Sequence, residues 1–217
     1  MISDVANMDC MAYMAQFPDK FFDLAVVDPP YGIDSDFHAT SRIAKYGDTA
    51  IVNDVRPSAD YFKELFRVSK NQVIWGYNHL SDLLPKCKEF VFWYKHQPVV
   101  SYADGELAWT SFNGSAKCFD YPFFGAMNAE KGRIHPTQKP VALYAWIFEK
   151  FSRGGQRILD THLGSGSSRI AAYRAGLDFY GCELDKGYFD KMNERFEKEC
   201  HGVEVINGHT IIQNKLF

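Results

Sequence analysis

The sequence lacks a CxxC pair, a long apolar run and a Pro-Cys dipeptide. Its five cysteines, at positions 10, 87, 118, 182 and 200, are odd in number and irregularly spaced. We therefore expect reduced thiols in a cytoplasmic protein, and neither a disulfide scaffold nor a metal site. No stretch approaches the roughly 18 apolar residues of a membrane span. The opening residues, MISDVANMDC, have no basic start, so we also expect no signal peptide.

The composition fits one domain, and the charge is unevenly distributed along the chain. The 217 residues are 46% apolar, enough for a substantial core, and the net charge is -3. Residues 1–36 hold seven aspartates against one lysine, whereas residues 117–157 hold seven lysines and arginines against three acids. A local basic face on an acidic protein suits a polyanion. From the counts alone, an ordinary solvated surface fits equally well.

Short apolar runs alternate with segments of helical periodicity. The strand-like runs are 23–27, 72–75, 89–94, 157–160 and 179–184. The helix-like segments are 57–69, 140–151, 167–175 and 186–200. This alternation predicts an α/β fold, a mostly parallel sheet with helices on both faces. Two segments fit the pattern poorly, and we interpret 33–56 as a loop and 95–134 as an insertion.

The stretch DLAVVDPPYG, residues 23–32, joins a buried strand to a rigid polar turn. Asp28 follows the strand, and ligands of open parallel sheets bind at the carboxyl ends of strands. Pro29 and Pro30 have a fixed φ and no N–H, so their carbonyls are oriented acceptors. Tyr31 adds a ring face. The turn therefore suits a flat group that donates two hydrogen bonds, such as the exocyclic amine of an aromatic base; an ordinary Asp-Pro turn is the alternative.

This geometry predicts a reaction at the amine. The lone pair of an aromatic amine is delocalised into the ring, so the nitrogen is a poor nucleophile. Two acceptors outside the ring plane, Asp28 and the Pro29 carbonyl, favour a pyramidal nitrogen that can attack an electrophilic carbon. Asp28 also stabilises the positive charge that grows on the nitrogen. We therefore expect Asp28, Pro29, Pro30 and Tyr31 to form the catalytic site.

A second site is indicated by the stretch RILDTHLGSGSSRIAAYRAG, which reads as strand, glycine-rich turn and helix. Asp160 ends the strand, and Glu183 follows twenty-three residues later, a distance that suits the hydroxyls of a ribose. The turn, Gly164-Ser165-Gly166-Ser167, lacks the third glycine that a pyrophosphate site uses. The pattern therefore favours S-adenosylmethionine, which has no phosphate, over a dinucleotide.

Three motifs resemble those of the DNA amino-methyltransferases that act on N6 of adenine or N4 of cytosine. They are DPPYG at 28–32, HPTQKP at 135–140, and LDTHLGSGSS at 159–168 with GCELD at 181–185. The matches extend from residue 7 to about 200. The resemblance implies a Rossmann-like methyltransferase domain over 1–217. Its motif order, with the catalytic box before the cofactor loop, resembles the circularly permuted beta group.

The resemblance also assigns cofactor contacts. It places Asp9, of the NMDCM stretch, at the cofactor's adenine, and Thr137 and Lys139 at its carboxylate. A proline-capped helix start is an equally good interpretation of the HPTQKP box. The family usually has Asp-Pro-Phe where this chain has Asp160-Thr161-His162, which makes His162 a further candidate contact. The expected cofactor set is Asp9, Asp28, Thr137, Lys139, Asp160, His162, Gly164, Ser165, Gly166, Ser167 and Glu183.

The motifs favour adenine N6 as the target. Methylation at carbon 5 of cytosine needs a thiolate, usually in a Pro-Cys box, and the chain has none. In the resembling families an Asp in the DPPY box is mostly associated with adenine, and a Ser with cytosine N4. Cytosine N4 stays open because both amines offer two donors. An RNA base or a protein glutamine is disfavoured by motif order, and a non-catalytic nucleic-acid-binding module by the full set of polar residues.

Double-stranded DNA is the expected partner, with the target base flipped out of the duplex. We interpret 95–134 as the target-recognition segment, with Lys95, Lys117, Lys131 and Arg133 near phosphates. A segment this short suits a small recognition site or a homodimer that shares the duplex. The resemblance leaves a cognate restriction endonuclease open as a second partner. It implies an enzyme of bacterial or phage type.

Overall fold

The computed structural model describes residues 1–32, 54–97, 103–123, 133–206 and 209–212. Eight strands form one sheet: β1 Ser3–Asn7, β2 Phe22–Val27, β3 Ser69–Trp75, β4 Phe90–Tyr94, β5 Gly105–Thr110, β6 Lys117–Asp120, β7 Arg157–Asp160 and β8 Asp178–Glu183. The helices are α1 Cys10–Met14, α2 Ala59–Val68, α3 Tyr77–Leu80, α4 Val141–Phe151, α5 Ser167–Arg174 and α6 Lys186–Phe196. A π-helical turn, Glu197–His201, continues α6. Strands β9 Val203–Ile206 and β10 His209–Ile212 form an antiparallel pair.

The centre of the sheet is buried on both faces, which explains its apolar strands. In β2, Leu24 and Val26 belong to one core cluster, whereas Ala25 and Val27 belong to the cluster on the opposite face. Because successive side chains of a strand point to opposite faces, a strand covered on both sides becomes a continuous apolar run. The strand predicted at 23–27 is confirmed, and it extends by one residue to Phe22.

Helices cover both faces, as the alternation predicted. Helix α2 contributes Phe62 and Leu65 to one cluster, and α4 contributes Leu143 and Ile147 to the other. Strands β1, β8, β7, β2 and β3 are parallel in that spatial order. The predicted fold class, a mostly parallel Rossmann-like sheet between helices, is confirmed.

Part of the predicted insertion at 95–134 is built into this sheet. Strand β5 lies between β3 and β4 and is antiparallel to both, and β6 pairs in parallel with β4 at the edge. Residues 105–110 and 117–120 are therefore sheet strands, not an appended module. Residues 98–102 and 124–132 lie outside the described residues.

The order in which the chain adds strands to the sheet changes direction between β2 and β7. These strands are parallel neighbours, with Leu24 opposite Ile158 and Ala25 opposite Leu159. From β2 the sheet proceeds through β3 in one direction, and from β7 it proceeds through β8 in the other. Such a switch point leaves a crevice outside the carboxyl ends of the strands. The half with β2 precedes the half with β7 in the chain; circular permutation stays a prediction.

The sequence predicts neither a membrane span nor a metal site. Among the described residues, no helix is long and apolar enough to cross a membrane, and no group of His, Cys, Asp or Glu could hold a metal ion. Most of the loop predicted at 33–56, residues 33–53, lies outside the described part of the chain.

Candidate active site

A cleft of about 1040 Å³ opens at the switch point. Asp28, at the end of β2, and His162, after β7, both line it, as does Glu183 at the end of β8. The parallel register of these three strands brings together residues that are far apart in the chain. The two motifs predicted separately from sequence therefore share one cavity.

The DPPYG turn presents its tyrosine and its carboxylate together. The Tyr31 hydroxyl donates to Asp28 Oδ1 at 2.5 Å, and the Tyr31 ring stacks on His79 with centroids 5.2 Å apart. Burial, and then the Asp28 charge, raise the pKa of Tyr31 well above its ordinary value, so its hydroxyl stays a donor.

Gly76 supports the Tyr31 ring, and sequence reasoning did not identify it. Its φ is +80°, and a Cβ there would lie 2.1 Å from Tyr31 Cε1. Gly76 follows β3, the strand beside β2. The only sequence signal was a glycine directly after a predicted strand.

The ammonium group of Lys139 forms an ion pair with the Asp28 carboxylate. Its Nζ donates to Asp28 Oδ2, is 3.1 Å from Glu106 Oε2 and is 3.5 Å from the Tyr31 hydroxyl. Burial alone would lower the pKa of Lys139, but the Asp28 and Glu106 carboxylates outweigh it and raise the pKa, so the ammonium stays charged. The sequence placed Lys139 at the cofactor's carboxylate; in this structure it pairs instead with the predicted catalytic acid.

Glu106, on β5, is a cleft residue that sequence reasoning missed. Its Oε1 accepts from Lys95 Nζ, and its Oε2 faces Lys139. Burial alone would raise the pKa of Glu106, but the charges of Lys139 and Lys95 outweigh it and lower the pKa to about 2. A signal existed: alternation in GELAWT puts Glu106 on the same strand face as the buried Ala108.

The first two residues of the Gly164–Ser167 turn line the cleft, and the last two do not. Gly164 and Ser165 line the cavity, and the Gly164 N–H donates to Glu183 Oε2 at 2.8 Å. Gly166 instead faces α6, where a Cβ would lie 2.4 Å from Met192 Cγ. Ser167 also faces α6, with its hydroxyl 2.9 Å from Arg195 Nη1. Gly166 and Ser167, both predicted to contact the cofactor, therefore pack α5 against α6 in this structure.

Asp160 lies beneath the turn, not in the cleft lining. Its Oδ1 accepts from the His162 N–H at 3.0 Å, and its Oδ2 accepts from the Ser168 hydroxyl at 2.6 Å. It is 1% exposed, and burial raises its pKa to about 7. Asp160, predicted to contact the cofactor, connects the turn to the start of α5 in this structure.

Thr161 and His162, which follow Asp160, contact each other, and Thr161 also contacts Tyr61. Thr161 Oγ1 is 2.7 Å from the buried Tyr61 hydroxyl and 3.0 Å from His162 Nδ1. His162 lines the cleft, and burial lowers its pKa to about 4, so its ring is neutral near pH 7. The His162 imidazole is therefore positioned by the neighbouring threonine.

Asp9 and Glu183 line the same cleft as His162. Glu183 accepts from two N–H groups, those of Gly164 at 2.8 Å and Asp185 at 3.0 Å. Each carboxylate oxygen can accept a second bond, so Glu183 can still receive hydroxyl donors. Asp9 caps α1 by accepting from Met11 N and Ala12 N through Oδ1.

The comparisons with known proteins agree with this geometry. A family model described as DNA methylase, of the N6/N4 type, matches residues 70–194, more than half of the chain. The chain belongs to this family of DNA methylases.

Curated relatives match most of the methylase. YubD of Escherichia coli strain K12 is 26% identical over 203 residues, which cover 86% of this chain and 87% of YubD. The type II methyltransferase M.HpaI of Haemophilus parainfluenzae is 21% identical, covering 87% of this chain and 72% of its own.

Two solved structures share the fold. A DNA modification methylase from Thermus thermophilus, TTHA0409, complexed with S-adenosyl-L-methionine, has a TM-score of 0.62 at 20% identity. The match covers 97% of the methylase and all of that chain. The cytosine-N4-specific PvuII DNA methyltransferase has a TM-score of 0.56 at 12% identity and covers 96% and 97%. At these identities the likeness establishes the fold.

The HPTQKP box of the methylase forms one wall of the cleft. Thr137 lines it, with its hydroxyl 3.1 Å from His135 Nδ1. Burial, then the charges of Arg133 and Lys139, lower the pKa of His135 to about 4. Arg133 donates to the carbonyls of His135 and Pro136 at 3.3 and 2.5 Å. Arg133, predicted near phosphates, thus holds this loop in place.

The other predicted phosphate neighbours have different locations. Lys95 lines the cleft and pairs with Glu106. Lys117 is at the amino end of β6, paired in register with Val91 near the start of β4, and its Nζ is 3.1 Å from Glu89 Oε1. The cleft is at the carboxyl end of β4, so the structure does not bring Lys117 to it. Lys131 lies outside the described residues.

Proposed function

We propose that this DNA methylase transfers a methyl group from S-adenosylmethionine to N6 of an adenine flipped out of double-stranded DNA. One observation carries the proposal: Asp28 and Tyr31 line the same cleft as Asp9, His162 and Glu183. An acceptor for an amine and the predicted groups for a nucleoside thus share one cavity. The family membership supplies DNA as the substrate class.

The residues of the cleft fit the proposed cofactor. Glu183 would accept from the ribose hydroxyls, Asp9 and His162 would flank the adenine, and Gly164 and Ser165 would contact the chain that joins ribose to sulfur. Gly164 has a φ of +48°, and an added Cβ would be 3.6 Å from the His135 ring, so the glycine keeps this wall close to the ligand. S-adenosylmethionine supplies an electrophilic methyl group on a positively charged sulfur, and it needs no phosphate site.

Asp28 performs two tasks in this mechanism. It accepts one N–H of the amine while the Pro29 carbonyl accepts the other, which localises the lone pair on the nitrogen. As the nitrogen forms its bond to the methyl carbon, Asp28 stabilises the positive charge that develops there. Asp28 would also accept the proton that the methylated nitrogen releases. S-adenosylmethionine would supply the methyl group and retain the electron pair of the broken carbon–sulfur bond.

Adenine is preferred over cytosine because the box carries an aspartate rather than a serine. Cytosine N4 is the second candidate, since the PvuII enzyme, which is cytosine-N4-specific, shares the fold. Both amines offer two donors to the same pair of acceptors. We further propose that 1–217 is one methyltransferase domain and that 95–134 carries target recognition, with Lys95 at the cleft.

Nucleoside analysis tests this proposal. The purified protein is incubated with methyl-labelled S-adenosylmethionine and plasmid DNA, RNA or a protein mixture in parallel, and the DNA is digested to nucleosides. We expect label in DNA, as N6-methyladenine. Label in N4-methylcytosine would keep the amine mechanism and overturn the base. Label in 5-methylcytosine, in RNA or in protein alone would overturn the proposal.

A further inference from the structure

Four charged side chains that line the cleft alternate in sign, and the last of them is Asp28, the proposed catalytic acid. Lys95 pairs with Glu106, Glu106 faces Lys139, and Lys139 pairs with Asp28. Both oxygens of Asp28 therefore have partners, since Oδ1 accepts from Tyr31 and Oδ2 accepts from Lys139. This arrangement conflicts with the reaction, because an ammonium on Asp28 offsets the negative charge that an amine needs there.

Lys139 has little freedom to move elsewhere. Its side chain is 5% exposed, and its Nζ lies 5.4 Å from the Trp75 ring and 5.9 Å from the Tyr31 ring. A buried ammonium without a carboxylate partner is strongly disfavoured. Withdrawal from Asp28 therefore requires a second carboxylate within the cleft.

Glu106 has the capacity to accept Lys139. Among the described residues, its Oε2 is a buried oxygen without a hydrogen bond, although it lies 3.1 Å from Lys139 Nζ. The distance satisfies an ion pair, but the geometry does not satisfy a hydrogen bond. Its other oxygen, Oε1, is held by Lys95. The carboxyl pKa of about 2 keeps Glu106 ionised. A small movement of Nζ would complete the missing bond.

We propose that Glu106 is a positioning residue, which receives Lys139 from Asp28 when the amine of the target base binds. The inference rests on the proposed function, because it assigns the amine to Asp28. In the free protein Lys139 keeps Asp28 in place, and in the substrate complex Glu106 holds the ammonium away from the charge that develops on the amine. Glu106 acts through Lys139 and does not touch the base.

The test compares Glu106→Gln with Glu89→Gln. Glu89 is also a buried glutamate paired with a lysine, Lys117 at 3.1 Å, but it is absent from the cleft lining. Single-turnover methyl transfer to DNA is measured together with the dissociation constants for S-adenosylmethionine and DNA. We expect Glu106→Gln to slow transfer about 10- to 100-fold, with both dissociation constants changed less than about twofold, and Glu89→Gln to leave transfer unchanged.

A double-mutant cycle separates this role from a structural one. In a Lys139→Met background there is no ammonium to receive, so Glu106→Gln should have no further effect on transfer. Wild-type transfer by Glu106→Gln, an equal loss in both backgrounds, or a loss of cofactor affinity as large as the loss of rate would overturn the inference. A wild-type protein that methylates no DNA would instead refute the proposed function.

Discussion

At the scale of single residues, the site depends on the side chains that line it and on Gly76, which has no side chain. Tyr31 can donate to Asp28 because Gly76 leaves space for its ring. Residues within one contiguous motif, such as Asp28 and Tyr31, could be assigned roles from sequence because their relative geometry is local.

Gly76→Ala should impair catalysis beyond its effect on stability. The added Cβ would lie 2.1 Å from Tyr31 Cε1, so the ring must leave its position. Gly176→Ala is the matched control, because Gly176 has a φ of +68° with no neighbour within 4 Å. Both changes carry a backbone strain of about 1–2 kcal/mol. Methyl transfer measured well below both melting temperatures should fall in Gly76→Ala only; equal activities would show that Tyr31 needs no such support.

Asp160 should make stability depend on pH. Burial raises its pKa from 3.8 to about 7, so the folded protein holds a proton that the unfolded chain releases. Its contribution is therefore complete below pH 3.8 and is lost as the pH rises through about 7. Asp160→Asn keeps a similar shape without the ionisation. Urea unfolding should show wild-type stability falling by about 2 kcal/mol more than the variant between pH 5 and pH 7. Parallel pH profiles would contradict this.

The sequence pattern of GELAWT indicates that Glu106 is on a buried strand face, but it does not indicate that Lys139 is its partner. Glu106 reaches Lys139 only because β5 inserts between β3 and β4 in antiparallel register, with Glu106 opposite Trp93. That pairing depends on contacts far apart in the chain, which local periodicity does not encode. The contact of Gly166 with Met192 could not be predicted for the same reason, since Met192 lies on another helix.

At the scale of elements, the contact between α5 and α6 explains half of the glycine-rich turn. Gly166 precedes α5 in a left-handed conformation, and Met192 of α6 packs directly on it. The periodic helices and the doubly buried strands were predicted because each carries its own apolar pattern. Strands β1 and β6 were missed: β1 is exposed or half-buried, and β6 is short, partly polar and stabilised by its neighbour β4.

Gly166→Ala should lower stability and leave cofactor affinity unchanged. The methyl group would meet Met192 Cγ at 2.4 Å in a residue whose φ is +73°. We expect a loss of about 2–4 kcal/mol from strain and overpacking, more than for Gly176→Ala. Chemical denaturation gives the stability, and calorimetry on the folded variant gives the affinity. A large loss of affinity with unchanged stability would return Gly166 to the cofactor site.

At the scale of the whole molecule, the cleft lies at one end of the sheet, where the parallel strands have their carboxyl ends. Lys117, a predicted phosphate neighbour that lies away from this end, is paired with Glu89 within the protein. Overall charge counts along the chain could not distinguish the two ends, because topology decides which residues meet.

Lys117→Ala should therefore leave DNA binding unchanged. A lysine that neutralises a phosphate contributes about 0.9 to the slope of log affinity against log salt. Lys117 is at the amino end of β6, whereas the cleft is at the carboxyl end of the neighbouring β4. Titrations of a fluorescent duplex at several salt concentrations should give the wild-type slope. A decrease of about 0.9 would place DNA along the far edge of the sheet.

The central claim is that Asp28 acts on the amine, while the cofactor is held by other residues of the same cleft. Asp28→Asn preserves the shape of the side chain and removes its charge. Single-turnover transfer to DNA, with cofactor affinity measured on the same protein, tests this claim most directly. We expect transfer to fall by about 10²–10³-fold or more, with affinity for S-adenosylmethionine within a factor of about three. A folded Asp28→Asn protein that methylates DNA at the wild-type rate would contradict this claim.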